Sequence, residues 1–251
     1  MAYKNPLLAR WRAGEPTFGF WSMTANPALS EYAATTSVDW ILWDMQHGLI
    51  SDTDLAGLFR SVLGTSVLPM ARVGANDPFL IGRVLDAGSA GVVVPLVNTA
   101  GEAAAAVAAC RFPPHGTRSF GPNRVTLVTG TLDPRIIEDV ACIVMVETAM
   151  GLDHVEAIAA TPGVDAILVG PSDLALGLGL AFDDRSAPHE SAVRRILAAC
   201  RANRVAAGIV LSSGEAAQKH VAMGFQFVNV ASDVGIVAEG LTRELKVARG
   251  G

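Results

Sequence analysis

Eight short apolar runs punctuate the chain: "FGFW" (18–21), "VDWILW" (38–43), "VLPMARV" (67–73), "AGVVVPL" (90–96), "CIVMVE" (142–147), "VDAILVG" (164–170), "AAGIVL" (206–211) and "FQFVNV" (225–230). Most are apolar at nearly every position rather than at every second one. Both faces of such strands need covering, which predicts a parallel sheet sheathed by helices. Amphipathic or small-residue stretches between the runs predict helices over 26–36, 52–63, 78–87, 99–110, 148–160, 187–202, 214–223 and 233–248. Asn26 before Pro27 and Asp77 before Pro78 read as helix starts. Eight strand–helix units point to an α/β fold closed as a (β/α)8 barrel, a single domain over 1–251. The competing open doubly wound sheet calls for a glycine fingerprint after its first strand, and "FGFWSMTANP" has none.

Composition narrows the classes. The chain is 51% hydrophobic, yet no apolar run approaches the roughly 18 residues of a membrane span. The first residues lack a continuous signal-peptide core, so a cytoplasmic protein is expected. A net charge of −5 offers no broad basic field for nucleic acid. Cys110, Cys142 and Cys200 are odd in number, far apart and set among apolar neighbours, which reads as core packing rather than a disulfide framework or a zinc cluster.

One segment, "RFPPHGTRSFGPNRVTLVTGTLDPR" (111–135), breaks the rhythm. Its length without periodicity suggests a subunit contact or an active-site wall, against the plainer reading of a solvated excursion.

Barrel chemistry belongs at the C-terminal ends of the strands. Those ends carry Trp21, Asp44 with His47, Arg72, Glu147 and, in "GPSD", Asp173. Glu147 and Asp173 are either helix-capping carboxylates or oxygen ligands of one hard divalent ion such as Mg2+, Mn2+ or Co2+. Arg72 favours an anionic substrate, or simply pairs with Asp44. Asp44 can orient the His47 ring as a base–orienter pair, unless His47 is a buried histidine satisfied by its neighbour. The backbone of "VGPSDL" can hold a carboxylate. His154, His189 and His220 fall on predicted helices and receive no chemistry.

The motifs "VDWILWDMQHG", "PMARVGANDP", "LDAGSAGVVVPLVNT", "RFPPHGTRSFGP" and "VMVETAMGLDHVEAIAATPGVDAILVGPSDLALGLG", in this order, resemble the HpcH/HpaI aldolases of the phosphoenolpyruvate/pyruvate barrel superfamily. The resemblance covers nearly the whole chain and implies a class II, metal-dependent aldolase. Such an enzyme is expected to cleave 4-hydroxy-2-oxo acids reversibly to pyruvate or hydroxypyruvate and an aldehyde, through an enolate stabilised by one divalent metal ion. By the same resemblance Glu147 and Asp173 ligate the metal, and Arg72 binds the 2-oxo group and the enolate oxygen. His47, oriented by Asp44, handles the aldol hydroxyl proton. The backbone at Ser172 and Asp173 holds the donor carboxylate, Trp21 shapes the donor pocket, and Val210 lines the aldehyde side. A homohexamer built as a trimer of dimers is implied, with the last barrel helix exchanged between subunits. Arg118 then becomes an outer-wall residue near a neighbouring site.

Two departures stand out. Gln46 replaces a common glutamate between Asp44 and His47, and Met145–Val146–Glu147 replaces a common Gln–Ile–Glu. The three lysines, Lys4, Lys219 and Lys246, lie off the predicted strand ends, which argues against a Schiff-base aldolase. The alternatives are a metal-dependent decarboxylase or acyl-CoA lyase using the same enolate chemistry and, more remotely, a non-catalytic metabolite-binding barrel.

Overall fold

The computed structural model describes residues 3–121 and 124–250. Eight parallel strands close into one barrel in chain order: β1 Thr17–Ser22, β2 Trp40–Asp44, β3 Leu68–Arg72, β4 Gly91–Val94, β5 Ala141–Val146, β6 Ala166–Val169, β7 Ala206–Ile209 and β8 Phe227–Ser232. The expected barrel is therefore present, with every predicted strand in place. Of the helices, α2 (Pro27–Ala34), α3 (Leu55–Ser61), α4 (Pro78–Asp86), α5 (Ala100–Cys110), α11 (Ala187–Asn203), α12 (Gly214–Met223) and α13 (Asp233–Ala248) match the predicted ones. Asn26 and Asp77 cap α2 and α4 through side-chain oxygens that accept backbone N–H groups.

Other helices depart from expectation. The stretch 148–160 splits at His154 into α8 (Ala149–Asp153) and α9 (Val155–Ala159). The "GPSD" turn opens a short helix, α10 (Pro171–Gly177), with Pro171 in its first turn. Segment 111–135 contains two four-residue helices, α6 (Thr126–Thr129) and α7 (Pro134–Ile137). An unforeseen helix, α1 (Pro6–Arg12), precedes the barrel. Its Leu7, Leu8 and Trp11 join Trp40, Ala141, Ala166 and Phe227 in the barrel's inner cluster, so α1 plugs the N-terminal mouth.

Alternation along the strands sorts side chains between two cores. Trp40, Leu42, Met70, Ile143, Met145 and Leu168 point inward, while Ile41, Trp43, Ala71, Val144 and Ile167 pack under the helices. The inward series Trp40–Leu42–Asp44, Met70–Arg72 and Ile143–Met145–Glu147 then end in polar residues at the C-terminal rim. Large and small inward residues interlock. A Cβ on Gly19 would lie 2.0 Å from the Trp40 ring, and one on Gly208 would lie 2.7 Å from Phe227. Those two rings stack at 4.4 Å between centroids. The interior is thus packed below the rim, and chemistry is confined to the top layer.

Segment 111–135 joins α5 to β5, so it lies at the opposite, N-terminal face of its own barrel. It does not wall its own chain's site. Arg118 is buried within its own chain, at 3% exposure. Its Nη2 donates to Asp86 at 2.8 Å, and its guanidinium stacks 4.6 Å from the Phe112 ring centre.

Candidate active site

One cavity of about 640 Å³ opens at the C-terminal rim, lined by Trp21, Asp44, His47, Arg72, Glu147, Ser172, Asp173 and Val210 among others. Every sequence-predicted site residue except Arg118 therefore meets around one space.

Asp44 and Arg72 are register partners on β2 and β3, so their side chains leave the sheet at one level. Arg72 Nε donates to Asp44 Oδ1 at 2.9 Å and Nη2 to Oδ2 at 2.5 Å, a buried fork-on-carboxylate pair. Trp21 Nε1 adds a bond to Asp44 Oδ2 at 3.2 Å, and the guanidinium carbon sits 5.0 Å from the Trp21 ring centre. Burial alone would raise the Asp44 pKa, but the Arg72 pair and two backbone donors hold it below the usual carboxylate range.

Those backbone donors are the N–H groups of Gln46 and His47, both aimed at Oδ1. Asp44 fixes the turn that carries His47, while no hydrogen bond among the described residues joins its carboxylate to the ring. His47 itself is exposed to the cavity.

Among the described residues Arg72 Nη1 contacts only Met145 Sδ, at 3.7 Å. A thioether is a weak acceptor, so this donor is left for an oxygen entering the cavity.

Glu147 follows β5 directly and is buried at 2% exposure. Its Oε1 accepts the Leu96 N–H at 2.9 Å. Sequence reasoning missed this donor. Leu96 has φ 56°, an uncommon left-handed conformation for a residue with a side chain. That turn lets two successive N–H groups face β5, the second being Val97 N–H to Met145 O at 3.1 Å. Glu147 Oε2 lies against Gly170, where a Cβ would come within 2.3 Å of it. Burial pushes the Glu147 pKa up, opposed by the Leu96 N–H; the charge of Asp173 adds to the rise, while Arg72 and His47 lower it. His189, assigned no chemistry from sequence, is buried and its Nε2 bonds the Pro171 carbonyl at 3.0 Å, tying α11 to the "GPSD" turn.

The donor set fits a hard divalent ion. Glu147, whose Oε2 packs against Gly170, and Asp173 line the same cavity. Among the described residues no group of three or more His, Cys, Asp or Glu side chains forms a self-sufficient metal cluster. Two carboxylates supplemented by substrate oxygens and water suit Mg2+, Mn2+ or Co2+ rather than structural zinc.

Residues 17–240 match the description of HpcH/HpaI aldolase/citrate lyase. The chain belongs to this family. It is an enzyme of aldolase or lyase type, and its relatives support retro-aldol chemistry on 2-oxo acids. It is 34% identical over 244 residues to a 5-keto-4-deoxy-D-glucarate aldolase of Escherichia fergusonii, covering 96% of this chain and 95% of that one. It is 34% identical over 239 residues to a hydroxypyruvate/pyruvate aldolase of Delftia acidovorans, covering 94% and 89%. A crystal structure of a family member from Burkholderia cenocepacia superposes with a TM-score of 0.92 at 34% identity, covering 98% of this chain and 100% of that one. A more distant fold relative from Mycobacterium tuberculosis, 20% identical with a TM-score of 0.58 over 88% of this chain and 87% of that one, was solved with magnesium and acetoacetate.

Proposed function

We propose that this family member cleaves 4-hydroxy-2-oxo acids reversibly to pyruvate or hydroxypyruvate and an aldehyde, as a class II aldolase with one divalent ion per site. The observation that carries the proposal is the Arg72 guanidinium. Asp44 locks two of its nitrogens, while Nη1 faces the cavity that Glu147 and Asp173 share. The names of the two aldolase relatives support this chemistry, and the magnesium of the distant fold relative supports the ion.

Glu147 and Asp173 would hold the ion, which when bound supplies Lewis-acid polarisation of the substrate's 2-oxo group. Arg72 Nη1 donates to the same oxygen as negative charge gathers on it during C3–C4 scission. Because Asp44 prevents the guanidinium from turning, that donor needs no reorganisation at the moment of reaction. A His47 ring nitrogen accepts the C4-hydroxyl proton, directly or through one water. The backbone at Ser172 and Asp173 orients the donor carboxylate. Trp21 walls the donor side, and Val210 faces the aldehyde.

The test is pyruvate release from 4-hydroxy-2-oxo acids, compared with oxaloacetate decarboxylation and acyl-CoA cleavage. Aldol cleavage is expected to have the highest kcat/KM and to depend on added metal. Preferential turnover of oxaloacetate or an acyl-CoA would replace the proposal, and pyruvate binding without turnover would indicate a non-catalytic barrel.

Assembly belongs to the same proposal: a homohexamer, as a trimer of dimers, that exchanges α13. Asp233 is the one buried residue of this helix. It anchors the start of α13 by accepting from the Met23 and Thr24 N–H groups at 2.9 and 3.0 Å. Beyond it Val234, Ile236, Val237, Leu241, Leu245 and Val247 are all about half exposed or more. Such an apolar face calls for a covering surface. Sedimentation should give about 157 kDa for six chains of 26.1 kDa. A fully active species of single-chain mass across a dilution series would exclude the exchange. No described helix is long and apolar enough to cross a membrane.

A further inference from the structure

Asn229 is a buried amide with no part in the proposed chemistry. It lies on β8 two residues beyond the inward-facing Phe227, so its side chain points into the barrel, and it is 2% exposed. It also borders the cavity at the C-terminal rim. A polar side chain buried at such a position needs partners. Asn229 finds both on one residue of the neighbouring strand end. Its Oδ1 accepts the Leu211 N–H at 2.7 Å, and its Nδ2 donates to the Leu211 carbonyl.

Leu211 needs those bonds because the ladder stops short of it. β7 pairs with β8 only at Gly208–Phe227 and Ile209–Val228. On the β6 side the Val210 N–H reaches Val169 O at 3.1 Å. Leu211 lies past both, and the Asn229 carboxamide, an acceptor and a donor in one group, stands in for a strand residue. Asn229 is itself held on β8 by its pairing with Gly19 of β1. The Leu211 side chain packs with the outer core under the helices, whereas Val210 packs with the inner cluster and lines the cavity. Anchoring the Leu211 backbone to β8 and the Val210 N–H to β6 therefore fixes the angle at which Val210 enters the cavity. The chain then turns at once into α12, capped by Ser213.

Resting on the retro-aldol proposal, in which Val210 faces the aldehyde, we infer that Asn229 is a positioning residue that sets aldehyde specificity. Its bonds go to Leu211, not to Asp44, Arg72, Glu147 or Asp173. Through Leu211 it keeps Val210 as a fixed wall beside the aldehyde carbon, and that wall rejects branching next to the carbonyl. A pinned side chain excludes a methyl group by overlap, whereas one free to shift gives way. Proton exchange at the pyruvate methyl group takes place at the donor end and does not depend on this wall.

Three measurements on the metal-supplemented enzyme test the inference. Hydrogen-exchange mass spectrometry should show the Leu211 amide protected in the parent and exchanging at least about tenfold faster in Asn229→Ala. In aldol addition with pyruvate as donor, the parent should favour butanal over 2-methylpropanal by about tenfold or more in kcat/KM. Asn229→Ala should cut that preference by about fivefold, chiefly through a lower KM for the branched aldehyde. Deuterium exchange into the pyruvate methyl group should be unchanged, a separation that a general loss of folding does not give. Asn229→Leu keeps the volume, removes both bonds and should give the same result if the alanine variant does not fold. An unprotected Leu211 amide in the parent, no parent preference between the aldehydes, or an unmoved preference in the variants overturns the inference and leaves the aldolase proposal intact. So does an equal loss of exchange and addition, or failure of both variants to fold, since either makes Asn229 purely structural. Methyl exchange without addition to either aldehyde overturns the aldolase proposal and the inference with it.

Discussion

Glu147→Ala and Asp173→Ala should each lower divalent-metal affinity by at least about 100-fold. That exceeds the 10–100-fold typical of losing a group that merely supports a ligand. Two carboxylates are the whole proposed protein contribution, so the loss of either leaves one anionic ligand. Gly170→Ala should mimic the Glu147 change without touching a carboxylate, since the new Cβ would sit 2.3 Å from Glu147 Oε2 and force that oxygen aside. Calorimetric titration with Mn2+ reads affinity without relying on turnover. The pH dependence has a definite sign. Burial raises the Glu147 pKa, so protons compete with the metal from above the usual carboxylate range. Affinity should fall as pH is lowered through that raised value. Parent-like Mn2+ affinity in both alanine variants would remove Glu147 and Asp173 from the proposed ligand set.

Arg72→Lys should reduce kcat by about 10²–10³-fold, the scale of losing one oxyanion donor, or roughly 2.7–4 kcal/mol of transition-state stabilisation. Lysine keeps the charge but has a single nitrogen. It cannot bond both Asp44 oxygens, at 2.9 and 2.5 Å in the parent, and also present a third donor to the substrate. The effect should fall on turnover more than on KM, because the bond strengthens as the oxyanion develops. Asp44 is wholly buried, so a poorly paired carboxylate there also costs stability. Melting temperature must therefore be measured alongside the kinetics. Unchanged kcat at saturation with raised KM would reduce Arg72 to a substrate-binding residue.

Much of this site is legible in the sequence. A parallel barrel places the C-terminal ends of all strands on one face, so reading strand ends was enough to collect Trp21, Asp44, Arg72, Glu147 and Asp173. The two-residue alternation of a strand adds direction: Trp40, Leu42 and Asp44 share a face, as do Ile143, Met145 and Glu147. Helix α1 escaped notice because seven residues carry too little periodicity, and its apolar side chains serve the barrel mouth rather than a neighbouring helix. Helix α10 was hidden in "GPSD", where proline and glycine read as a turn.

What tertiary structure alone decided is which polar group meets which. Asp44 is three residues from His47 in sequence, yet its carboxylate is occupied by Arg72, 28 positions away, because β2 and β3 run side by side in register. Glu147 is held by a backbone N–H 51 positions earlier, from a leucine whose type gives no hint of the role. Arg118 donates to Asp86, 32 positions earlier in its own chain. Hydrophobic periodicity is a local property, set by the geometry of one element at a time. Hydrogen-bond pairing depends on the register at which the barrel closes, and no single segment of the chain contains that register.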